Sequence, residues 1–482
     1  MSGFAILFEK LAEIHSLNCL QNADQRWALA CDEFYRGYCI AKCKTMQGIE
    51  RRGWENTEKG LSVYMKYSAI ALWILSVSTA QAETLQALII ESLSQHPALL
   101  AQRASLESSS SGVEIAKWQY FPTPSLSVEG VSAAKKDYSY QGDERVTTLR
   151  IQQPVWTGGK IGAGVEKAEA SMSQAKASEK EVRKQLSLKL IQAFSDWVSA
   201  DLRLKVVNQS YKIHENLEKQ LIRRVELGAS AESDRSVVSV RLNSLSAEAA
   251  MIKGQINSAK SKISLALGRE IQNTELEAVS SSPYPIYDSV SAIQQLAVMN
   301  SPTLERLQAQ EKIISATVAE KKAELWPQVY LRIERQFGNY SIPHADPSTR
   351  TFLGFSSSLN PGLSNKAAIN GALAQREAAR EEINAHKLLV QEEVVNDSLQ
   401  LSMLTERLNA VRSSIIISES ILDSYTRQFL AGRKSWIEVM NAARETAQYQ
   451  SQGSEIEAAQ TLLSWRLAVN TYGLPAVILG EK

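Results

Sequence analysis

No cysteine follows Cys43. All four cysteines of this 482-residue chain, Cys19, Cys31, Cys39 and Cys43, crowd its beginning. The rest therefore cannot be stapled by disulfides or built on cysteine ligands. Glycine (23) and proline (12) are scarce, which excludes a fold of many short turns and favours long helices. No apolar run reaches the roughly 18 residues of a helical membrane span. A β-type membrane protein stays open, because its strands leave a weaker trace. Charge of one sign is also missing: 53 Lys+Arg balance 52 Asp+Glu, a formal net of +1, so nothing marks a nucleic-acid partner. With 44% hydrophobic and 22% charged residues the chain is not disordered. Signatures of catalysis are absent too. The five histidines form no H-E-x-x-H pair, and neither a phosphate-binding G-x-x-x-x-G-K-[ST] loop nor a G-x-S-x-G elbow occurs. Gly158-Gly159-Lys160 reads better as a strand-to-helix turn than as a phosphate cradle. No enzyme activity, cofactor or metal site is expected.

What is present begins at the cysteine boundary. Met65-Lys66-Tyr67 opens a basic start, Ser68–Val77 is a short apolar stretch, and Ala80-Gln81-Ala82 is an A-x-A cleavage pattern. Residues 65–82 thus read as a secretory signal peptide. A signal peptide belongs at a start codon, so 1–64 reads as a mis-assigned extension. The rival is a genuine extension with Cys31, Cys39 and Cys43 as ligands, but their spacing matches no common zinc pattern. Cleavage would expose Glu83 rather than the cysteine that a lipid anchor needs.

The remainder reads as a tandem repeat. His96-Pro97 recurs as Ser301-Pro302, Pro122 as Pro327, Pro154 as Pro361, Gly164 as Gly371, Gly228 as Gly432 and Gly268 as Gly473, all at a shift of about 205. Two units result, 83–280 and 281–482, joined at Ser281-Ser282-Pro283-Tyr284-Pro285. Each runs helix, two strands, very long helix, glycine turn, long helix. The expected strands are 122–133 and 145–156, then 327–338 and 350–359. The expected long helices cover 159–268 and 364–472.

The strands alternate with period two. Val329, Leu331, Ile333 and Phe337 share one face, and Tyr330, Arg332, Glu334 and Gln336 the other. Thr147, Leu149, Ile151 and Val155 oppose Thr148, Arg150 and Gln152; Leu126 pairs with Val128, and Leu353, Phe355 and Leu359 complete the pattern. Each strand is long enough to cross a bilayer when tilted. In the helices, Leu190, Trp197, Leu204 and Tyr211 recur every seven residues beside Ala193, Ala200 and Val207. Leu401, Leu408, Ile415, Leu422 and Phe429 do the same beside Leu404, Val411 and Tyr425. That is coiled-coil periodicity over about 100 Å of helix, longer than any globular core. Four strands cannot close a barrel, and open edges in lipid cost several kcal/mol per unpaired group. Several copies must share one barrel, and three would give a twelve-stranded wall.

On these motifs the chain resembles the TolC family of outer-membrane channel proteins, over 83–482. Phe121-Pro122 precedes a strand, Gln153-Pro154-Val155-Trp156 closes one, Gly158-Gly159-Lys160 enters a long helix, and the tips read Leu227-Gly228 with Asp234 and Ala431-Gly432 with Glu438. The resemblance implies an α+β membrane protein. A trimeric 12-stranded β-barrel, four strands per chain, would continue into a long α-helical coiled-coil barrel in the periplasm of a Gram-negative bacterium. It implies a homotrimer in outer-membrane lipid, docked on a periplasmic adaptor and an inner-membrane ABC or proton-driven transporter. It places the periplasmic aperture at Ser233, Asp234, Phe429, Lys434 and Glu438, next to the tip turns Gly228 and Gly432. A further family acid falls on Asn441, which leaves a second carboxylate ring open. Lys434 and Arg427 are the expected partners of Glu438.

The expected function is the exit duct of a tripartite export system. The missing lipid-anchor cysteine and a likeness to the agglutination-protein branch point toward type I protein secretion, with a large adhesin as the expected cargo. A multidrug or small-molecule efflux channel is the alternative. A trimeric coiled-coil surface adhesin is more remote, since its four strands would lie together at the C-terminus. A periplasmic adaptor would need a lipoyl-like or β-barrel domain between its helices, and the sequence has none.

Overall fold

The computed structural model describes residues 84–132, 140–271, 276, 289–357 and 364–479. The expected extension (1–64), signal peptide (65–82) and linker (281–285) lie outside the described residues, as do Leu359 and Pro361.

Helices α1 (Leu85–Gln95) and α2 (Pro97–Trp118) lead into β1 (Thr123–Gly130) and β2 (Arg145–Trp156), then α3 (Lys160–Glu226) and α4 (Glu232–Leu267). The same order follows in α5 (Val290–Met299), α6 (Pro302–Ala323), β3 (Gln328–Phe337), β4 (Ser348–Ser356), α7 (Ser364–Leu430) and α8 (Trp436–Tyr472), closed by α9 (Leu474–Leu479). Helices α2 and α6 each have 22 residues, and α3 and α7 each have 67. At 1.5 Å per residue the latter are roughly 100 Å long. Among the described residues no helix is long and apolar enough to cross a membrane.

The recurring X-Pro pairs are helix starts. His96 Nδ1 accepts from Ala98 N at 3.2 Å and Ser301 Oγ from Leu304 N at 3.4 Å, each cap followed by proline at N1. Proline is tolerated there because its missing N–H would have no partner anyway.

The seven-residue rows are the packing seams. Leu190, Trp197, Ala193, Ala200 and Val207 are buried, as are Leu408, Val411, Leu422 and Phe429. Leu204, Leu401, Leu404 and Ile415 are half-buried, and Tyr211 is exposed. A straight helix drifts about 20° per heptad against a strict seven-residue repeat, so such a row rotates in and out of the seam. One buried charge crosses it: Asp397, 2% exposed, accepts Arg466 Nε at 2.7 Å and a second guanidinium N–H, tying α7 to α8.

Packing partners give the helical layer an order. Helix α3 packs on α4 and α8, and α8 on α7, so the order is α4-α3-α8-α7. Nearer the sheet, α2 and α6 flank α3, and α6 also packs on α7. The layer ends at α4 on one side and α7 on the other. Both end helices expose apolar rows at fourteen-residue steps, Val237, Met251 and Leu265 on α4 and Leu389, Met403 and Ile417 on α7.

The four strands form one antiparallel sheet in the order β1-β2-β3-β4. β1 is shorter than the 122–133 expected, its ladder ending at Gly130↔Arg145. β4 starts two residues earlier than expected, because Ser348 still pairs with Gln336. The register aligns Leu126 with Leu149, Ile151 with Ile333 and Leu331 with Leu353 on one face. The opposite face aligns Ser125, Arg150, Glu334 and Arg350. Along β3 the polar face is half-buried while Leu331, Ile333, Arg335 and Phe337 are exposed, so the polar side chains of this strand are the more crowded ones.

Between β2 and α3 the chain turns through Gly158 (φ +63°) and Gly159 (φ +90°). A Cβ on Gly158 would stand 2.5 Å from Trp326 Cβ, whereas one on Gly159 meets open space. Both substitutions incur left-handed strain, but only Gly158→Ala adds a clash with Trp326. Gly158→Ala should therefore lose clearly more stability than Gly159→Ala, by about 1 kcal/mol or more, in parallel thermal melts of the purified protein.

Candidate functional site

Two regions can carry function: the glycine tips at one end of the long helices and the sheet at the other. Each tip is a helix stop followed by a helix start. At Gly228 (φ +69°) the N–H donates to Val225 O at 2.9 Å, and Ala229 N donates to Arg224 O at 2.7 Å. At Gly432 (φ +74°) the same pair runs to Phe429 O (2.9 Å) and, from Arg433 N, to Gln428 O (2.8 Å). This Schellman closure satisfies the last carbonyls and needs glycine in the left-handed region.

The carboxylates after the tips sit at equivalent places, the third residue of α4 and of α8. Glu438 belongs to a full capping box. Ser435 N donates to its Oε2 at 3.0 Å, Ser435 Oγ at 2.9 Å, and Glu438 N donates back to Ser435 Oγ at 3.4 Å. Lys434 Nζ donates to Oε1 at 2.5 Å and lies 4.4 Å from the centre of the Tyr425 ring. The Lys434 ammonium first, then the Ser435 donors, hold the Glu438 carboxyl down at about 2, and the same pair raises Lys434. Asp234 makes only half of this box. Its Oδ2 accepts Ala231 N at 3.4 Å, and alanine has no side chain to complete the exchange.

The other expected aperture residues separate. Ser233 is exposed, and Asn441 is exposed with its Oδ1 accepting Arg444 at 2.6 Å. Phe429, expected at the constriction, is 1% exposed and packs among Leu221, Leu422, Trp436 and Val439. The Arg224 guanidinium lies 4.2 Å from its ring centre and donates to Phe429 O at 2.7 Å, which ties the two tips together. Arg427, expected to face Glu438, instead pairs with Asp423 one turn back on α7. The i, i+4 spacing on a continuous helix wins over a contact across the turn. Lys434 alone of the two expected cations meets Glu438.

At the other end, the apolar face of the sheet presents Leu126, Val128, Leu149, Ile151, Leu353 and Phe355, all exposed. At the strand–helix junction a group of large aromatics is exposed as well: Trp118, Tyr120, Phe121, Trp156 and Trp326. Trp156 and Trp326 meet edge to face at 6.1 Å, and the tilted rings of Trp118 and Phe121 lie 5.0 Å apart. An apolar band edged by amphipathic aromatics is what a bilayer interface selects. Sequence reading caught Phe121 and Trp156 as motif residues but not the group, since its members come from three separate segments. The loop ends are also joined: Asp143 accepts Asn339 N at 2.8 Å and His344 N at 2.9 Å, and Tyr340 Oη donates to Glu129 at 2.5 Å. The two backbone N–H groups hold Asp143 below the usual carboxylate range.

A sheet apolar on one face and polar on the other, mounted on helices of roughly 100 Å with charged tips, fits the class of membrane conduits. The comparisons narrow it. The profile of the family described as outer membrane efflux protein matches twice, over residues 88–269 and 293–469. The chain belongs to that family, whose members are channels and not enzymes. It is similar to the cobalt-zinc-cadmium resistance protein CzcC of Cupriavidus metallidurans, 22% identical over 307 residues, 62% of this chain and 71% of that one. Among solved structures it resembles the outer-membrane channel OprN (TM-score 0.70, 18% identity, covering 81% of this chain and 90% of that one). It resembles equally the outer membrane protein VceC of Vibrio cholerae (TM-score 0.70, 16% identity, covering 81% and 96%).

Proposed function

We propose that three copies of this chain form a sealed duct across the outer membrane of a Gram-negative bacterium, the exit of a tripartite export system. One observation carries the reading: both layers end openly at corresponding sides. Among the described residues the outer edges of β1 and β4 are unpaired, and the helical layer ends in α4 and α7, each with an exposed apolar row. Edges in lipid must be paired, and only closure on further copies pairs them while hiding both rows. Three copies give twelve strands, within the range of closed bacterial barrels. The two near-equal halves, each matched by the family profile, read as a duplicated unit that places two strands and two long helices per repeat around the wall. The helices then line a periplasmic tube whose tips meet the adaptor and the inner-membrane transporter that supplies the energy.

Two readings of the cargo each rest on an observation. The cleavage pattern is followed by Glu83 and not by a cysteine, which favours type I secretion of a large polypeptide. The likeness to CzcC favours efflux of small solutes or metal ions. Deleting the gene separates them. Under the first reading one large protein vanishes from the medium and drug and metal tolerance hold. Under the second, tolerance to drugs or divalent metals falls and the secreted proteins are unchanged. A deletion that alters neither would remove the export reading.

A further inference from the structure

We propose that the polar face of the sheet carries a cationic band that binds polyanionic solutes on their way out, a reading that rests on the shared barrel above. Two adjacent rows make the band. One aligns Thr123, Gln152, Arg332 and Phe352, and the next Ser125, Arg150, Glu334 and Arg350. Three guanidinium groups therefore face one carboxylate. Glu334 is shared: Arg150 Nε donates to its Oε1 at 2.6 Å, and Arg332 Nε stands 3.2 Å from the same oxygen. The Arg332 Nε contact is ionic only, since that buried nitrogen makes no hydrogen bond.

Arg332 is held in place by rings, its guanidinium carbon 4.6 Å from the Phe352 centre and 5.9 Å from that of Tyr330. Arg350 is exposed and without a side-chain partner among the described residues. Neighbouring positions on this face, Ser127, Thr148, Gln336 and Ser348, are uncharged and cannot offset the excess. The other acid of the face, Glu129, lies four residues along β1 from Ser125, roughly 13 Å away, and already accepts the Tyr340 hydroxyl.

A planar guanidinium fork suits phosphate and carboxylate oxygens, which it can grip in pairs. Ring stacking costs Arg332 none of its charge and fixes its orientation in advance. One such band per chain, repeated around a closed wall, surrounds the lumen with cations and favours solutes that carry several negative charges. The apolar outer face cannot serve this role; its Arg335 lies beside Phe337, 5.3 Å from the ring centre, near the loop end of β3.

The test uses the full-length protein in planar bilayers with inorganic tripolyphosphate added to the extracellular side. Reversible, voltage-dependent block is expected. In the Arg150→Gln, Arg350→Gln double variant the blocking concentration should rise at least about tenfold, in line with two lost charge-assisted contacts, while Arg335→Gln should leave it unchanged. Conducting trimers indifferent to tripolyphosphate, or equally blocked in the double variant, would overturn the band alone. Loss of trimers on changing Arg350 would also overturn it, because Arg350 would then be a contact between chains. Absence of any conducting trimer in the unmodified protein would remove the shared barrel and this inference with it.

Discussion

Leu408→Asp should prevent the chain from folding into an assembly-competent state, whereas Ile417→Asp should leave the single chain folded and block only assembly. Leu408 is 4% exposed and packs with Val411 and Ile456 between α7 and α8. Placing a carboxylate there removes the leucine contacts and buries an unpaired charge, a loss of about 4 kcal/mol or more. Such a loss is a large share of a domain's stability. Ile417, nine residues on, is 60% exposed and belongs to the outward row of α7. Its substitution costs nothing inside the chain. Leu401→Asp should be milder than Leu408→Asp, since Leu401 is only half-buried. Protease resistance reports folding and crosslinking reports assembly. Equal trimer yield for Leu408→Asp and the parent would contradict the seam.

Lys434→Glu should raise single-channel conductance several-fold. It replaces the ammonium that bonds Glu438 at 2.5 Å with a like charge, and it removes the contact with the Tyr425 ring. Glu438→Ala with Asp234→Ala should lower cation selectivity if these acids line the aperture. Capping complicates the second variant, because Glu438 also closes the start of α8. Glu438→Gln, which retains an oxygen for the Ser435 donors, separates charge from cap. A pH effect follows with a definite sign. The Glu438 carboxyl titrates at about 2 in the folded chain against an ordinary value of 4.5. Its contribution to holding the tip is therefore fully present above 4.5 and is lost as pH falls through 2. Conductance should climb over that window in the parent and stay flat in Glu438→Gln. No change in either variant would leave Glu438 as a cap without a role in gating.

Much of the fold was legible because its signals are one-dimensional. Seven-residue rows such as Leu190-Trp197 and Leu408-Leu422 report a helix seam directly, and alternation in Val329–Phe337 reports a two-faced strand. Pro97 and Pro302 mark helix starts, and Gly228 and Gly432 mark stops, because backbone geometry restricts those residues most. The tip was legible in position but less so in pairing. Ser435-Trp436-Ile437-Glu438 is a capping-box pattern, a local signal that identifies Glu438 as a helix cap before any role in a pore. Phe429 illustrates the limit: a phenylalanine on a heptad row reads alike whether it faces a core or a lumen, and its burial among Leu221, Leu422, Trp436 and Val439 is visible only in the fold. The aromatic group at Trp118, Trp156 and Trp326, and the cationic rows of the sheet, depend on strand register between segments about 200 residues apart. No local pattern encodes that register.

The shared barrel is tested most directly by disulfides across its expected seams. No cysteine follows Cys43, so introduced thiols beyond that point are unambiguous. Ser127→Cys in β1 is combined in turn with cysteine at Ser348, Arg350 or Phe352 of β4, all on the polar face. Within one chain β2 and β3 separate these strands by three spacings of about 4.8 Å, beyond the roughly 7 Å limit for a disulfide. Oxidation of intact outer membranes should give a dimer band and a trimer band, with nothing larger, for at least one pair, and no bands for Ser127→Cys combined with a cysteine-free β4. Monomers throughout, or a ladder continuing past the trimer, would contradict a barrel closed by three copies of this chain.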